Sequence, residues 1–208
     1  MTDRRVTTAL VAAAVAAAIA AGAVAAAIVL GRGEDAPDYR GSQPPARITL
    51  PDFTLPDYTG RRVSTESLRG KVVLVTFLDS QCTEACPIIA SQIARAWDRL
   101  SAEERRDVVP IAISTDPDED TPASVRDFLR RNRAEGTLHY LVAPVPKLRP
   151  VWEAFKISAS FDTGIDTLHS APVRIYDREG VWVSTLHAGA DLTTENLVHD
   201  VRAVASAS

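Results

Sequence analysis

Two cysteines and one histidine hold the chemistry that this sequence offers. Cys82 and Cys86 are the only cysteines in 208 residues, and they stand four apart in Phe77-Leu-Asp-Ser-Gln-Cys82-Thr-Glu-Ala-Cys86-Pro87. Thiols at that spacing share one side of a helical turn, where they can close a disulfide or grip one ion together. The segment follows an apolar run and precedes helical spacing, so it belongs at the carboxyl end of a strand, where open α/β sheets place their sites. It also opens a helix, whose free N–H groups and dipole favour anions; the expectation is a lowered cysteine pKa and an enriched thiolate. His169 stands in Asp166-Thr-Leu-His169-Ser-Ala-Pro172, directly before another strand-like run. If that strand lies beside the first, the imidazole meets the two sulfurs. Two thiolates and an imidazole are a soft three-coordinate set, suited to Cu(I) and able to hold Cu(II). The cysteine pair by itself leaves redox work and metal binding open, and His169 favours the metal. His139, His187 and His199 read as strand, hairpin-end and helix residues without a ligand role.

The elements that must position these groups alternate strand and helix from Ile48 onward. Pro51–Thr59 and Arg61–Ser64 flank the turn signal Tyr58-Thr59-Gly60, which predicts a short hairpin. Val72–Leu78 is an almost unbroken β-branched and apolar run, the pattern of a strand buried on both faces. After Pro87 the residues Ile88, Ile89, Ile93, Ala96, Trp97 and Leu100 recur at helical steps. Val108–Ser114 is a second buried strand. Thr121-Pro122 supplies an N-cap and a first-turn proline for a helix running to about Arg133. Leu138–Val142 reads as a third strand and Lys147–Phe155 as a third helix. Val173–Tyr176 and Val181–Leu186, joined by Asp177-Arg-Glu-Gly180, form a hairpin, and a last helix spans Thr193–Ala205. Helices between strands predict parallel neighbours and the hairpin an antiparallel pair, hence an α/β fold with a mixed sheet and helices on both faces.

Thr7–Leu30 contains no charged residue. At 1.5 Å per residue it makes about 36 Å of helix, enough for a roughly 30 Å hydrocarbon core. Arg4 and Arg5 precede it, so residues 1–30 are expected to be a short cytoplasmic N-terminus and an uncleaved transmembrane anchor, with the remainder exported. A cleaved signal peptide is the rival, though its apolar region is usually shorter. Residues 31–47 are rich in Gly, Pro and charge and read as a flexible linker; residues 48–208 are the folded domain. The net charge of −4 and scattered Lys and Arg argue against a nucleic-acid partner.

Read together, these motifs resemble the Sco/SenC family of copper-handling proteins over residues 48–205. The resemblance rests on Pro51-Asp-Phe-Thr-Leu followed by Leu68-Arg-Gly-Lys71, and on Cys82-Thr-Glu-Ala-Cys86-Pro87 with its three-residue gap. It rests also on Ile113-Ser-Thr-Asp116-Pro-Asp-Glu-Asp120-Thr-Pro122, on His169 eighty-odd residues beyond the second cysteine, and on the turn Asp177–Gly180. It implies a thioredoxin-like fold behind a single N-terminal transmembrane helix, with the domain on the extracytoplasmic side. It implies one copper ion held by Cys82, Cys86 and His169, and a metallochaperone role in assembling the copper centre of cytochrome c oxidase. The sequence departs from the family pattern at Thr83, where a proline is usual, and at Leu168, where an aspartate precedes the histidine; Asp166 and Asp116 are the substitutes at hand to orient the ring. The alternative is a thiol–disulfide oxidoreductase cycling Cys82 and Cys86, for which Ala171-Pro172 would supply the proline that faces the pair in such enzymes. Asp116 and Asp120 read as a solvated acidic loop leading into the Thr121 cap, with a place lining the cysteine site as the alternative.

Overall fold

An apolar run can shed water on both faces only if it lies in the middle of a sheet. The computed structural model, which describes residues 38–157 and 172–207, puts the Val72–Leu78 run there. A hairpin comes first, β1 (Thr54–Pro56) with β2 (Arg62–Ser64), antiparallel. Its turn needs Gly60 at φ 90°, a backbone region that side chains other than glycine rarely adopt. Then follow β3 (Val72–Leu78), α1 (Ala85–Arg99), β4 (Val108–Ser114), α2 (Pro122–Arg131), β5 (His139–Leu141) and α3 (Val145–Phe155). The chain closes with β6 (Pro172–Tyr176), β7 (Trp182–His187) and α4 (Thr194–Ser206). The sheet order is β5-β4-β3-β6-β7; β3, β4 and β5 are parallel, while β6 and β7 run antiparallel.

The alternation of side chains along β3 feeds two cores. Val72, Leu74 and Leu78 face α1, α2 and α4, with Ile89, Ile93, Phe128, Leu129 and Leu197. Val73, Val75 and Phe77 face the β1–β2 hairpin and α3, with Phe53, Leu55, Leu148, Trp152 and Phe155. Each buried Val, Leu or Phe contributes about 1.5–3 kcal/mol relative to exposure. The mixed sheet with helices on both faces is as the strand pattern predicted. Thr121 caps α2 as expected, accepting from the Ser124 N–H with Pro122 in the first turn.

The element limits differ where a local rule yields. Helix α1 starts at Ala85, ahead of Pro87, because a proline in the first turn gives up an N–H that has no helical partner anyway. A single helical turn, Glu104–Asp107, leads into β4. Residues 1–30, expected to hold a membrane anchor, and Asp166, Leu168, His169 and Ala171 lie outside the described residues. Among the described residues, no helix is long and apolar enough to cross a membrane.

Composition makes residues 31–47 a tether, yet part of that stretch is docked. The Ser42 N–H donates to the Thr185 carbonyl at 2.9 Å and the Ser42 carbonyl accepts from the Thr185 N–H at 2.8 Å, adding a bridge to the edge of β7. The carboxylate of Asp200, wholly buried on α4, accepts from the N–H groups of Arg40 (2.7 Å) and Gly41 (3.0 Å) and from the Ser184 hydroxyl. Gly41 is required by space: a Cβ there would lie 2.3 Å from Ser184 Oγ and 2.5 Å from the Thr185 carbonyl oxygen. Asp200→Ala strands these donors and is expected to cost about 2–4 kcal/mol in urea unfolding. Gly41→Ala should undock the segment at a similar or smaller cost. Two variants with wild-type midpoints would mean that the docking contributes nothing.

Candidate metal and thiol site

The cysteines lie where β3 runs out of the sheet. Leu78 ends the strand, and its carbonyl accepts from the Thr115 N–H at 2.9 Å, carrying the β3–β4 pairing one step further. The loop from Asp79 to Glu84 then turns the chain into α1, and Asp79 organises that turn. Its carboxylate accepts from the Gln81 N–H at 2.7 Å, and its carbonyl accepts from the Cys82 N–H at 3.3 Å. Its own N–H donates to the Cys86 sulfur.

Cys82 is half-buried on the loop and Cys86 is buried in the first turn of α1. The two are thiols, not a disulfide, and they are hydrogen-bonded to one another. The spacing of four therefore brings the sulfurs together, as the sequence predicted. The expected lowering of the thiol pKa is not what the surroundings produce at Cys86. Its thiol is pushed well above the ordinary thiol range, first by the hydrogen bond with Cys82, then by burial, with the charges of Cys82 and Asp79 adding; only the Asp79 N–H pulls the other way. Asp79 is itself pushed up, by burial and then by the nearby charges of Asp120 and Asp116. The site thus sets a Cys86 thiol that holds its proton beside Cys82 and the carboxylate of Asp79. It suits a cation that can displace thiol protons.

Beneath the loop lies a buried carboxylate that the sequence presented as solvated. Asp120 is 1% exposed and is bonded to Ser80, Ser114 and Tyr140. Neither Asp79 nor Tyr140 stood out in the sequence. A legible signal was the acid at position 79, interposed between an apolar strand and a cysteine loop. Asp116 is half-buried and acts on Asp79 through its charge.

The third expected ligand, His169, lies outside the described residues, so the pair is described without it. Strand β6 is antiparallel to β3 with Val75 opposite Arg174; two positions on, Pro172 is level with Phe77. β6 therefore starts at the sheet end that carries the cysteine loop, three residues after His169 in the sequence. The other histidines are engaged elsewhere. His139 on β5 has Nδ1 2.6 Å from an Arg61 guanidinium nitrogen, and burial followed by that cation pushes its pKa down. His187 ends β7 beside Asp191, and His199 contacts Asp200 on α4. Among the described residues, no group of three or more His, Cys, Asp or Glu is placed to hold a metal.

A family model described as SCO1/SenC matches residues 41–206. The chain belongs to the SCO1/SenC family. A SCO1 protein homologue of Bacillus subtilis is 33% identical over 84 residues, a stretch that takes in 40% of this chain and 43% of the relative. The chain spans less than half the length of the first curated relatives it matches. The solved structure of BsSco, described as a member of the Sco family of cytochrome c oxidase assembly proteins and as having a disulfide switch, superposes with a TM-score of 0.65 at 22% identity. That likeness covers 80% of this chain and 99% of the other. Bradyrhizobium japonicum ScoI, solved with copper bound, gives a TM-score of 0.58 at 25% identity over 76% of this chain and 99% of its own. The family's thioredoxin-like fold is the one described above.

The raised Cys86 thiol has a consequence for stability. The folded protein keeps that proton at a pH where an unfolded thiol, with a pKa of about 8.5, gives its own up. Fewer protons on the unfolded chain mean that stability falls as pH rises. The reduced protein should therefore hold full stability below about pH 8.5 and lose up to about 1.4 kcal/mol per pH unit above it, before any tyrosine ionises. Denaturant unfolding of reduced wild type and Cys86→Ser at stepped pH tests this: the slope should be smaller in the variant. A flat profile in the wild type would refute the assigned pKa direction.

Proposed function

We propose that the protein is a membrane-anchored, extracytoplasmic copper chaperone that holds one copper ion through Cys82, Cys86 and His169. The observation that carries the reading is the contact between the Cys82 and Cys86 sulfurs at the end of β3, the same end at which β6 begins three residues after His169. Two sulfurs already side by side supply two of the three soft donors that Cu(I) takes, and an imidazole completes a set that also accepts Cu(II). The carboxylate of Asp79 beside the pair favours a cation over two thiolates without one. Copper is cargo in this reading, and the half-buried Cys82 is the sulfur through which a partner's ligand would enter.

Family membership supports the reading. Its copper-bound member from Bradyrhizobium japonicum and the oxidase-assembly description of BsSco suggest the destination, the copper centre of cytochrome c oxidase. The uncharged segment Thr7–Leu30 with Arg4 and Arg5 before it is the basis for the membrane anchor and for an exported domain.

A second reading, thiol–disulfide exchange by the same pair, is favoured by that sulfur–sulfur contact. Cys86 is ill suited to attack, because the nucleophile is the thiolate and this thiol holds its proton. Cys82 would have to be the attacking group.

The two readings separate on His169. Reduced protein titrated with copper should bind one equivalent, and His169→Ala should weaken binding tenfold or more, as loss of one ligand in three implies, at about 1.4 kcal/mol per factor of ten. Equal affinity in wild type and variant would remove the metal reading and leave the exchange reaction.

A further inference from the structure

The acidic stretch Asp116-Pro-Asp-Glu-Asp120 is not uniform. Asp118 and Glu119 are exposed and Asp116 is half-buried, whereas Asp120 is 1% exposed. A carboxylate that far from water is stable only if its oxygens are well supplied with donors. Oδ1 accepts from the Ser80 N–H at 2.8 Å. Oδ2 accepts from the Ser114 hydroxyl at 2.6 Å and from the Tyr140 hydroxyl at 2.9 Å. Those donors come from three neighbouring elements: the cysteine loop, the end of β4 and the middle of β5. The Ser114 carbonyl in turn accepts from the Trp152 indole N–H at 2.9 Å, from α3 on the opposite face of the sheet.

Ser80 is where this network enters the cysteine loop. Its hydroxyl also donates to Ser124 Oγ at 3.2 Å, at the start of α2. The Gln81 and Cys82 N–H groups turn back onto Asp79, so the loop's internal shape is set relative to Ser80. We propose that Asp120 is a positioning residue for the dithiol: by fixing the Ser80 amide it sets the path of the loop into Cys82 and keeps that sulfur against Cys86. A pair held in contact has a high effective concentration of one thiol at the other, which favours both disulfide closure and joint capture of one ion. Partners one step behind a ligand commonly change affinity by about 10–100-fold.

The test reads the dithiol without copper, so it stands whether or not the metal reading does. Reduced full-length protein is equilibrated with glutathione disulfide: Cys82 and Cys86 give up two electrons and two protons and form the S–S bond, and glutathione disulfide takes them to give two glutathione thiols. Asp120→Ala is expected to shift the equilibrium constant towards dithiol by about tenfold or more. Asp120→Asn keeps an oxygen for the Ser80 N–H and offers its amide to two hydroxyls that can accept, so it should stay within about threefold of wild type. Tyr140→Phe and Ser114→Ala remove donors from Oδ2 only and should lower Tm while leaving the constant within about threefold. A folded Asp120→Ala protein with a wild-type constant overturns the proposal. If that variant does not fold, amide exchange in the wild type decides: the Ser80 N–H should be protected by about a hundredfold or more, and exchange as fast as an open loop overturns the proposal instead. Loss of copper affinity in His169→Ala with an unchanged glutathione constant would bear on the metal reading alone.

Discussion

No residue of β3 is more than 3% exposed, and that burial decides where the thiols can stand. A strand with apolar side chains on both faces must also have both edges paired, and β4 and β6 do this. Polar chemistry has no place along such a strand; it can appear only where the strand ends. The first residues after Leu78 are Asp79 and Ser80, and they begin the loop that delivers Cys82 and Cys86. The same pairing brings the start of β6 to that end, because an antiparallel neighbour begins where β3 finishes. Site and spine are therefore one problem: moving the register of β3 by a residue would turn Leu74 and Leu78 to the other core and carry the cysteine loop with them.

The electrostatics of the pair show which of two opposing effects wins. A helix N-terminus favours a thiolate, but by only about 0.3–1 kcal/mol at ordinary exposure, less than one pKa unit. Against it stand the hydrogen bond between the sulfurs, the burial of Cys86 and the charge of Asp79. The net displacement is upward, so those outweigh the dipole. The outcome is a Cys86 thiol that keeps its proton, bonded to Cys82, until a cation or an oxidant takes the proton's place.

Much of this was legible in the residues. The β3 and β4 runs, the Thr121-Pro122 cap and the two hairpins announce themselves through apolar runs, capping chemistry and turn residues, all of them local signals. The start of α1 was not, because helical spacing shows only after Pro87 while the first turn holds Cys86. Asp120 was not, because its neighbours in sequence are exposed acids and its burial depends on Tyr140, twenty positions away. Asp200 was more nearly readable: an acid on the helix stripe of Leu197, Val201 and Val204 is out of place unless something donates to it, and two of its donors lie some 160 residues earlier. The proximity of the two sulfurs followed from spacing; the state of their protons followed from what packs over them.

The N-terminal part of the domain solves a problem that the sheet creates. Both outer strands offer unpaired backbone groups, which invite pairing with other chains. On one side, the Tyr58 N–H donates to the Tyr140 carbonyl and the Val142 N–H to the Pro56 carbonyl, so the first hairpin covers β5. On the other, the Thr185 N–H donates to the Ser42 carbonyl and the Trp182 N–H to the Ile48 carbonyl, so residues 42–48 cover β7. One stretch of chain thus crosses from edge to edge before β3 begins, and Asp200 and Gly41 fix its start. The match to the family model begins at residue 41, at the clamp and not at the first strand. With its edges closed, the sheet can meet a partner only through a face already covered by helices or through its loop-bearing ends. One of those ends is where the two thiols stand, so a partner that docks there meets the dithiol directly.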